Sequence, residues 1–195
     1  MPQRALAMRI AGKRPDALSD EDLAIFENEG ADILTPSIPG TAEPYTLESL
    51  PDRGSFEEEA TRHVAFARRN GHPLCFALIA FDQLDDQNDS AAHDEALREA
   101  TARWREVLRA EDLLGRWGHD EFAIVLPNCP TVSAVQLCWR LREETPKERS
   151  FSAGLVSYHG SEGFDDLVSR ADDCLGQAVA KGRDRTVAEG LVDLD

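Results

Sequence analysis

The chain has 195 residues, 42% of them apolar, and carries a formal net charge of −16. This length supports one domain with a full core and a tail. The acidity excludes nucleic acid and anionic membrane as principal partners, because a phosphate surface calls for a basic face. No apolar run reaches membrane-spanning length, and the N-terminus has no signal-peptide-like apolar segment, so a cytoplasmic protein without membrane insertion is expected.

Residues 1–44 differ in character from the rest of the chain. Arg4, Arg9, Lys13 and Arg14 make the start basic. Ser19 is placed to cap a short helix, with Glu21 and Asp22 in its first turn, Leu23, Ile25 and Phe26 on its apolar side and Gly30 at its end. Pro36, Pro39, Gly40 and Pro44 then make a linker without regular structure. The arm reads either as a tail or as a docking segment that uses Leu23, Ile25 and Phe26.

From Tyr45 onward the pattern is that of a packed domain. Ser55 is expected to cap a helix to Asn70, ended by Gly71. Pro73 to Asp82 is a near-continuous apolar run, the mark of a strand buried on both faces. His93 to Arg109 has Leu97, Ala100, Trp104 and Leu108 on one face of a helix. Leu113–Trp117 and Phe122–Leu126 read as the arms of a hairpin with a two-residue turn at Gly118-His119, which lifts Asp120 and Glu121 to an exposed tip. Adjacent carboxylates on such a tip suit a divalent cation, and equally a solvated turn. Thr131 to Arg142 is a further helix, Arg149 to Tyr158 a strand with Gly154 at a close approach, and Phe164 to Gly182 the last long helix. Cys75, Cys129, Cys138 and Cys174 lack metal-ligand spacing and are expected to be free, buried thiols.

Arg116-Trp117-Gly118-His119-Asp120-Glu121-Phe122 resembles the signature Arg-x-Gly-Gly-Asp/Glu-Glu-Phe of the GGDEF, or diguanylate cyclase, domain family, with His119 at the second glycine. The resemblance runs from Tyr45 to Val187. Leu47, Leu50, Arg53 and Phe56 match its opening motif, Arg170-Ala171-Asp172 and Gly182-Arg183-Asp184-Arg185 its closing ones. It implies an α/β fold similar to nucleotide cyclase and polymerase palm domains, with a central, mostly antiparallel sheet wrapped by helices, over residues 45–190. By the same resemblance, Asp120 and Glu121 are the remnants of the catalytic and metal site. Asn88 and Asp94 correspond to the guanine-reading pair, Asp94 standing in His93-Asp94-Glu95-Ala96-Leu97 against Gly-Asp-x-x-Leu, and Arg183 to a nucleotide-binding arginine. Asp94 reads equally as a first-turn carboxylate favoured by the helix dipole.

Four positions depart from the pattern. Ala80 stands at the metal-binding aspartate, leaving Asp82 as the second carboxylate; His119 replaces the turn glycine, whose dihedrals a β-carbon resists; Asp85 and Val179 stand where lysines face the phosphates. Arg109-x-x-Asp112 matches the family's inhibitory site for cyclic di-GMP, with Arg140 as a further ligand arginine. An arginine fork suits phosphate or the guanine edge, and an aspartate accepts from guanine N1 and N2. Arg109 and Asp112 could instead be a surface ion pair closing the helix. The expectation is a degenerate GGDEF domain that binds cyclic di-GMP, needs no cofactor and signals to a protein partner. The alternatives are an active, Mg²⁺-dependent cyclase working as a homodimer on two GTP, and an interaction module that needs no ligand.

Overall fold

The computed structural model describes residues 47–82, 90–147 and 149–190. The helix expected after Ser19, the linker to Pro44, Asp85 and Asn88 lie outside the described residues. A 3₁₀ turn at Leu47–Ser49 leads into α1 (Arg53–Asn70). Then come β1 (Leu74–Phe81), α2 (Ser90–Val107), β2 (Leu113–Arg116), β3 (Glu121–Pro127), α3 (Thr131–Glu144), β4 (Phe151–Ser157), α4 (Phe164–Ala180) and β5 (Thr186–Ala188). The sheet order is β2-β3-β1-β4-β5. Every pairing is antiparallel except the parallel β4/β5 edge. This is the α/β architecture expected from the sequence.

β1 is central because both of its faces are apolar. Cys75, Ala77, Ile79 and Phe81 pack with Trp104 of α2 and Leu141 of α3; Leu74, Phe76 and Leu78 pack with Phe56 of α1 and Phe164 of α4. Helices on both sides of the sheet explain why the strand reads as a continuous apolar run rather than an alternating one. Trp104 adds a polar link: its Nε1–H donates to the Leu141 carbonyl and to Thr145 Oγ1, each at 3.0 Å. Gly154 is required where β4 meets α4, since a β-carbon there would lie 2.0 Å from the Ala171 carbonyl oxygen and 2.4 Å from the Leu175 amide.

Several boundaries differ from expectation. The cap of α1 is Asp52, whose Oδ1 accepts from the Ser55 N–H at 2.9 Å; Ser55 sits inside the first turn. A carboxylate at the N-cap gains from the helix dipole as well as from the hydrogen bond. α2 begins at Ser90 rather than His93, the added turn including the good helix formers Ala91 and Ala92. β5 has no counterpart in the sequence reading, because three residues are too few for a periodic signal. All four cysteines are free and buried, and burial pushes the Cys75, Cys138 and Cys174 thiols up, keeping them protonated. No described helix is long and apolar enough to cross a membrane.

Candidate functional site

The site is built on the β2–β3 hairpin. Arg116 pairs with Phe122, and the connection runs from Trp117 to Asp120, so the turn is longer than two residues. Trp117 and Gly118 both donate their N–H to the Glu121 carbonyl, at 2.8 and 3.1 Å. Arg116 holds the loop from within: its Nε donates to the Gly118 carbonyl and its Nη2 to the His119 carbonyl. Neither Gly118 nor His119 has a positive φ. The expectation that residue 119 needs dihedrals a β-carbon resists is therefore corrected. The longer loop turns the chain without left-handed residues, and a histidine fits without backbone strain. Gly118 has its own requirement, since a β-carbon there would stand 2.8 Å from Glu121 Oε2.

Asp120 and Glu121 are lifted to the tip as expected, and β1 lies beside them. The Phe81 N–H donates to the Asp120 carbonyl at 2.9 Å, and Ala80 faces Glu121 in the β1/β3 register. Asp120 is not free. His93 Nε2–H, from the first turn of α2, donates to Asp120 Oδ1 at 2.6 Å. His119 Nε2 lies 3.6 Å from the same oxygen, and the two imidazole rings stack with centroids 5.3 Å apart. Sequence reasoning missed His93 as a site residue. The available signal was that His93 and His119 each stand where the resembled pattern has glycine.

Asp82, one residue beyond β1, is fully engaged. Its Oδ1 accepts from Ser152 Oγ at 2.6 Å; its Oδ2 accepts from Ser150 Oγ at 2.7 Å and from the Asp184 N–H at 3.0 Å. It thereby ties β1 to β4 and to the loop before β5, where Arg183 and Asp184 take left-handed φ values of 63° and 47°. Arg183 is exposed on this loop. Val179 lies exposed near the end of α4. A magnesium ion requires anionic oxygens in near-ideal octahedral geometry. Around the tip, Ala80 supplies none, Asp120 already accepts from an imidazole and Asp82 from three donors, which leaves the exposed Glu121 as the carboxylate not so engaged.

The Arg109/Asp112 pair sits in the turn between α2 and β2. Arg109 is exposed; Asp112 is 6% exposed. The Asp112 carboxylate accepts from the Arg109 backbone N–H at 2.8 Å, and the Asp112 N–H donates to the Arg109 carbonyl at 3.2 Å. Asp112 thus closes a turn around Arg109, and among the described residues it is in no ion pair. Burial raises its carboxyl to about 6 against the opposing effects of the Arg109 N–H and charge. Arg140 is exposed on α3, and Asp94 is half-buried in the second turn of α2, so the expectation of a first-turn carboxylate is corrected by the earlier start of the helix at Ser90. Among the described residues no hydrogen bond or ion pair joins Arg140 to Arg109 or Asp112. A separate cleft of about 360 Å³ opens beside the Asp82 clamp, lined by Trp139, Arg142, Lys147, Arg149, Ser150 and Asp184 among others.

Comparison with known proteins agrees with this architecture. The family described as diguanylate cyclase, GGDEF domain, matches residues 46–185. The diguanylate cyclase DgcP of Pseudomonas aeruginosa is 31% identical over an alignment of 152 positions that covers 71% of this chain and 23% of that protein. The chain spans 23–30% of the length of such curated relatives. Among solved structures, the active GGEEF domain of a diguanylate cyclase from Vibrio cholerae superimposes with a TM-score of 0.67 at 26% identity, covering 74% of this chain and 100% of that one. A microbial GGDEF domain described in its interaction with bis-(3′,5′)-cyclic di-GMP does so with a TM-score of 0.67 at 26% identity, covering 73% and 96%. The chain belongs to the diguanylate cyclase GGDEF-domain family.

Proposed function

We propose that this GGDEF domain is catalytically impaired and serves as a cyclic di-GMP receptor that signals to a protein partner. The observation that carries the reading is Ala80. It faces Glu121 across β1 and β3, so a methyl group stands where the family pattern has a metal-binding carboxylate. Phosphoryl transfer of this kind is nearly all positioning and charge neutralisation, and a missing anionic ligand weakens both. Val179 in place of a lysine removes a cation from the phosphate side in the same way.

The binding half of the proposal rests on two arginines. Arg109 and Arg140 are exposed, and among the described residues neither is in an ion pair, which leaves both forks available for phosphate or a guanine edge. Asp112 presents its remaining oxygen only from a buried position, so it acts chiefly by fixing the turn that carries Arg109. A related GGDEF domain is described with cyclic di-GMP, which favours the same class of ligand here.

Titration calorimetry of cyclic di-GMP into the wild type and Arg109→Ala tests the receptor, and incubation with GTP and Mg²⁺ or Mn²⁺ tests the enzyme. The expected results are binding to the wild type, a loss of at least about tenfold in the variant, the size of one charge-assisted pair, and no turnover. Absence of binding to the wild type, or equal binding to the variant, overturns the proposal. Turnover at an ordinary cyclase rate favours the homodimeric enzyme, in which Asp120, Glu121 and Arg183 suffice with Mg²⁺.

A further inference from the structure

We propose that His93, His119 and Asp120 form a binding site for a borderline transition-metal ion of the zinc class. This inference does not depend on cyclic di-GMP binding. The ligand atoms of the three residues all lie within 4.8 Å of one another, two imidazole Nε2 atoms converging on one carboxylate. Two neutral imidazoles and one carboxylate suit Zn²⁺, Co²⁺ or Ni²⁺, whereas Mg²⁺ prefers an all-oxygen shell. The donor set therefore differs from the carboxylate site that the family pattern implies.

Two of the three ligand separations can be set against what such an ion requires, and the third, between the two imidazoles, is at most 4.8 Å. Ligand atoms on a tetrahedral zinc with bonds of about 2.0–2.1 Å are roughly 3.3 Å apart. The His119–Asp120 separation of 3.6 Å is already near this. The His93–Asp120 contact of 2.6 Å is shorter because it is a hydrogen bond from the imidazole to the carboxylate. To ligate the ion His93 must present the Nε2 lone pair, so a neutral ring takes the Nδ1–H tautomer and an imidazolium releases its Nε2 proton to solvent; the pair then opens by roughly 0.7 Å, within reach of small side-chain rotations.

His119 is the telling member. At 3.6 Å from Asp120 it makes no hydrogen bond to it, its side chain is 74% exposed, and it nevertheless stacks over the ring of His93 with an interplanar angle of 23°. Nothing in the fold requires a histidine there, since the loop is held by Arg116 through backbone carbonyls. His93, by contrast, is only 14% exposed and anchored in the first turn of α2. The arrangement is one fixed ligand, one carboxylate on the hairpin tip and one ligand free to close over the ion. A bound ion would tether the tip to α2, keep Asp120 from a hard cation and leave its fourth position open to water or an anionic oxygen.

The test uses the untagged full chain, stripped of metal by a chelator and titrated with Co²⁺ and Zn²⁺. It is read by the visible absorption of cobalt and by competition with a chromophoric chelator. One ion per chain is expected, undisturbed by a large excess of Mg²⁺. His93→Ala and His119→Ala should each weaken it by roughly tenfold or more, the loss that even an outer-shell partner causes. His159→Ala, which removes a histidine elsewhere, should leave it unchanged. Far-UV circular dichroism shows whether His93→Ala stays folded; if it does not, the exposed His119→Ala alone decides. No ion on the wild type, or wild-type affinity in His119→Ala, overturns the proposal.

Discussion

Replacing Asp82 by alanine separates two meanings of a retained carboxylate. If Asp82 is only a leftover of the family's acidic motif, its removal changes little. The structure assigns it three accepted hydrogen bonds, from Ser150, Ser152 and the Asp184 amide. Hydrogen bonds to a charged group contribute about 1.5–3 kcal/mol each when buried. Asp82 is half-buried, so the lower end applies to the Ser150 and Asp184 contacts. Ser152 is completely buried, and its hydroxyl would be left without an acceptor at a further cost of about 1–3 kcal/mol. A net loss of about 4–6 kcal/mol is expected, a large share of a domain stability of about 5–15 kcal/mol. Asp82→Asn keeps one acceptor oxygen and gains donors that the serines can accept, so it should fall between alanine and the wild type. Urea unfolding in the presence of chelator measures all three. A loss below about 1 kcal/mol for Asp82→Ala, or equal losses for Ala and Asn, would refute the structural role.

Gly154→Ala should destabilise by at least about 1–3 kcal/mol, because its β-carbon would meet backbone atoms of α4 that cannot swing aside; an unchanged urea midpoint contradicts the packing described. Asp112 carries a pH signature. Its folded carboxyl is raised to about 6 from 3.8, so the stability it contributes is complete below the unfolded value and is lost as the pH rises through about 6. Asp112→Asn keeps an acceptor for the Arg109 N–H without the buried charge. It should be more stable than the wild type at neutral pH by up to roughly 2–3 kcal/mol, the gap vanishing near pH 4; parallel stability–pH curves for the two proteins would show that burial does not govern this group. His119→Gly tests the loop. Since residue 119 has no positive φ, glycine relieves no strain and should lower stability by about 0.4–1 kcal/mol through its unfolded-state freedom. A rise in thermal midpoint would restore the view that the turn needs glycine.

What the sequence disclosed depends on how local the cause is. β1 was legible because burial on both faces leaves an unbroken apolar run, and Gly154 because a strand facing a helix at backbone contact leaves room for nothing else. The length of the hairpin loop was not, since Gly118-His119 looks like a turn pair and only the Arg116–Phe122 register shows otherwise. β5 escaped for want of length, its burial coming from pairing with β4 rather than from a pattern of its own. The site divides the same way. The resemblance to the family's motifs singles out Arg109, Asp112, Asp120 and Glu121 as candidates, but it does not give their contacts. Asp112 turned inward to the backbone amide of Arg109, and Asp120 acquired a histidine from the start of α2. Asp82 makes the physical reason plain. Its motif marks it only as the carboxylate that survives beside Ala80, yet its donors come from β4, the residue before it and the loop before β5, stretches that no local rule joins to β1. A carboxylate is chemically uncommitted until its partners are known. A family pattern can therefore locate the acidic positions of this domain while their work is decided by the contacts that the fold brings to them.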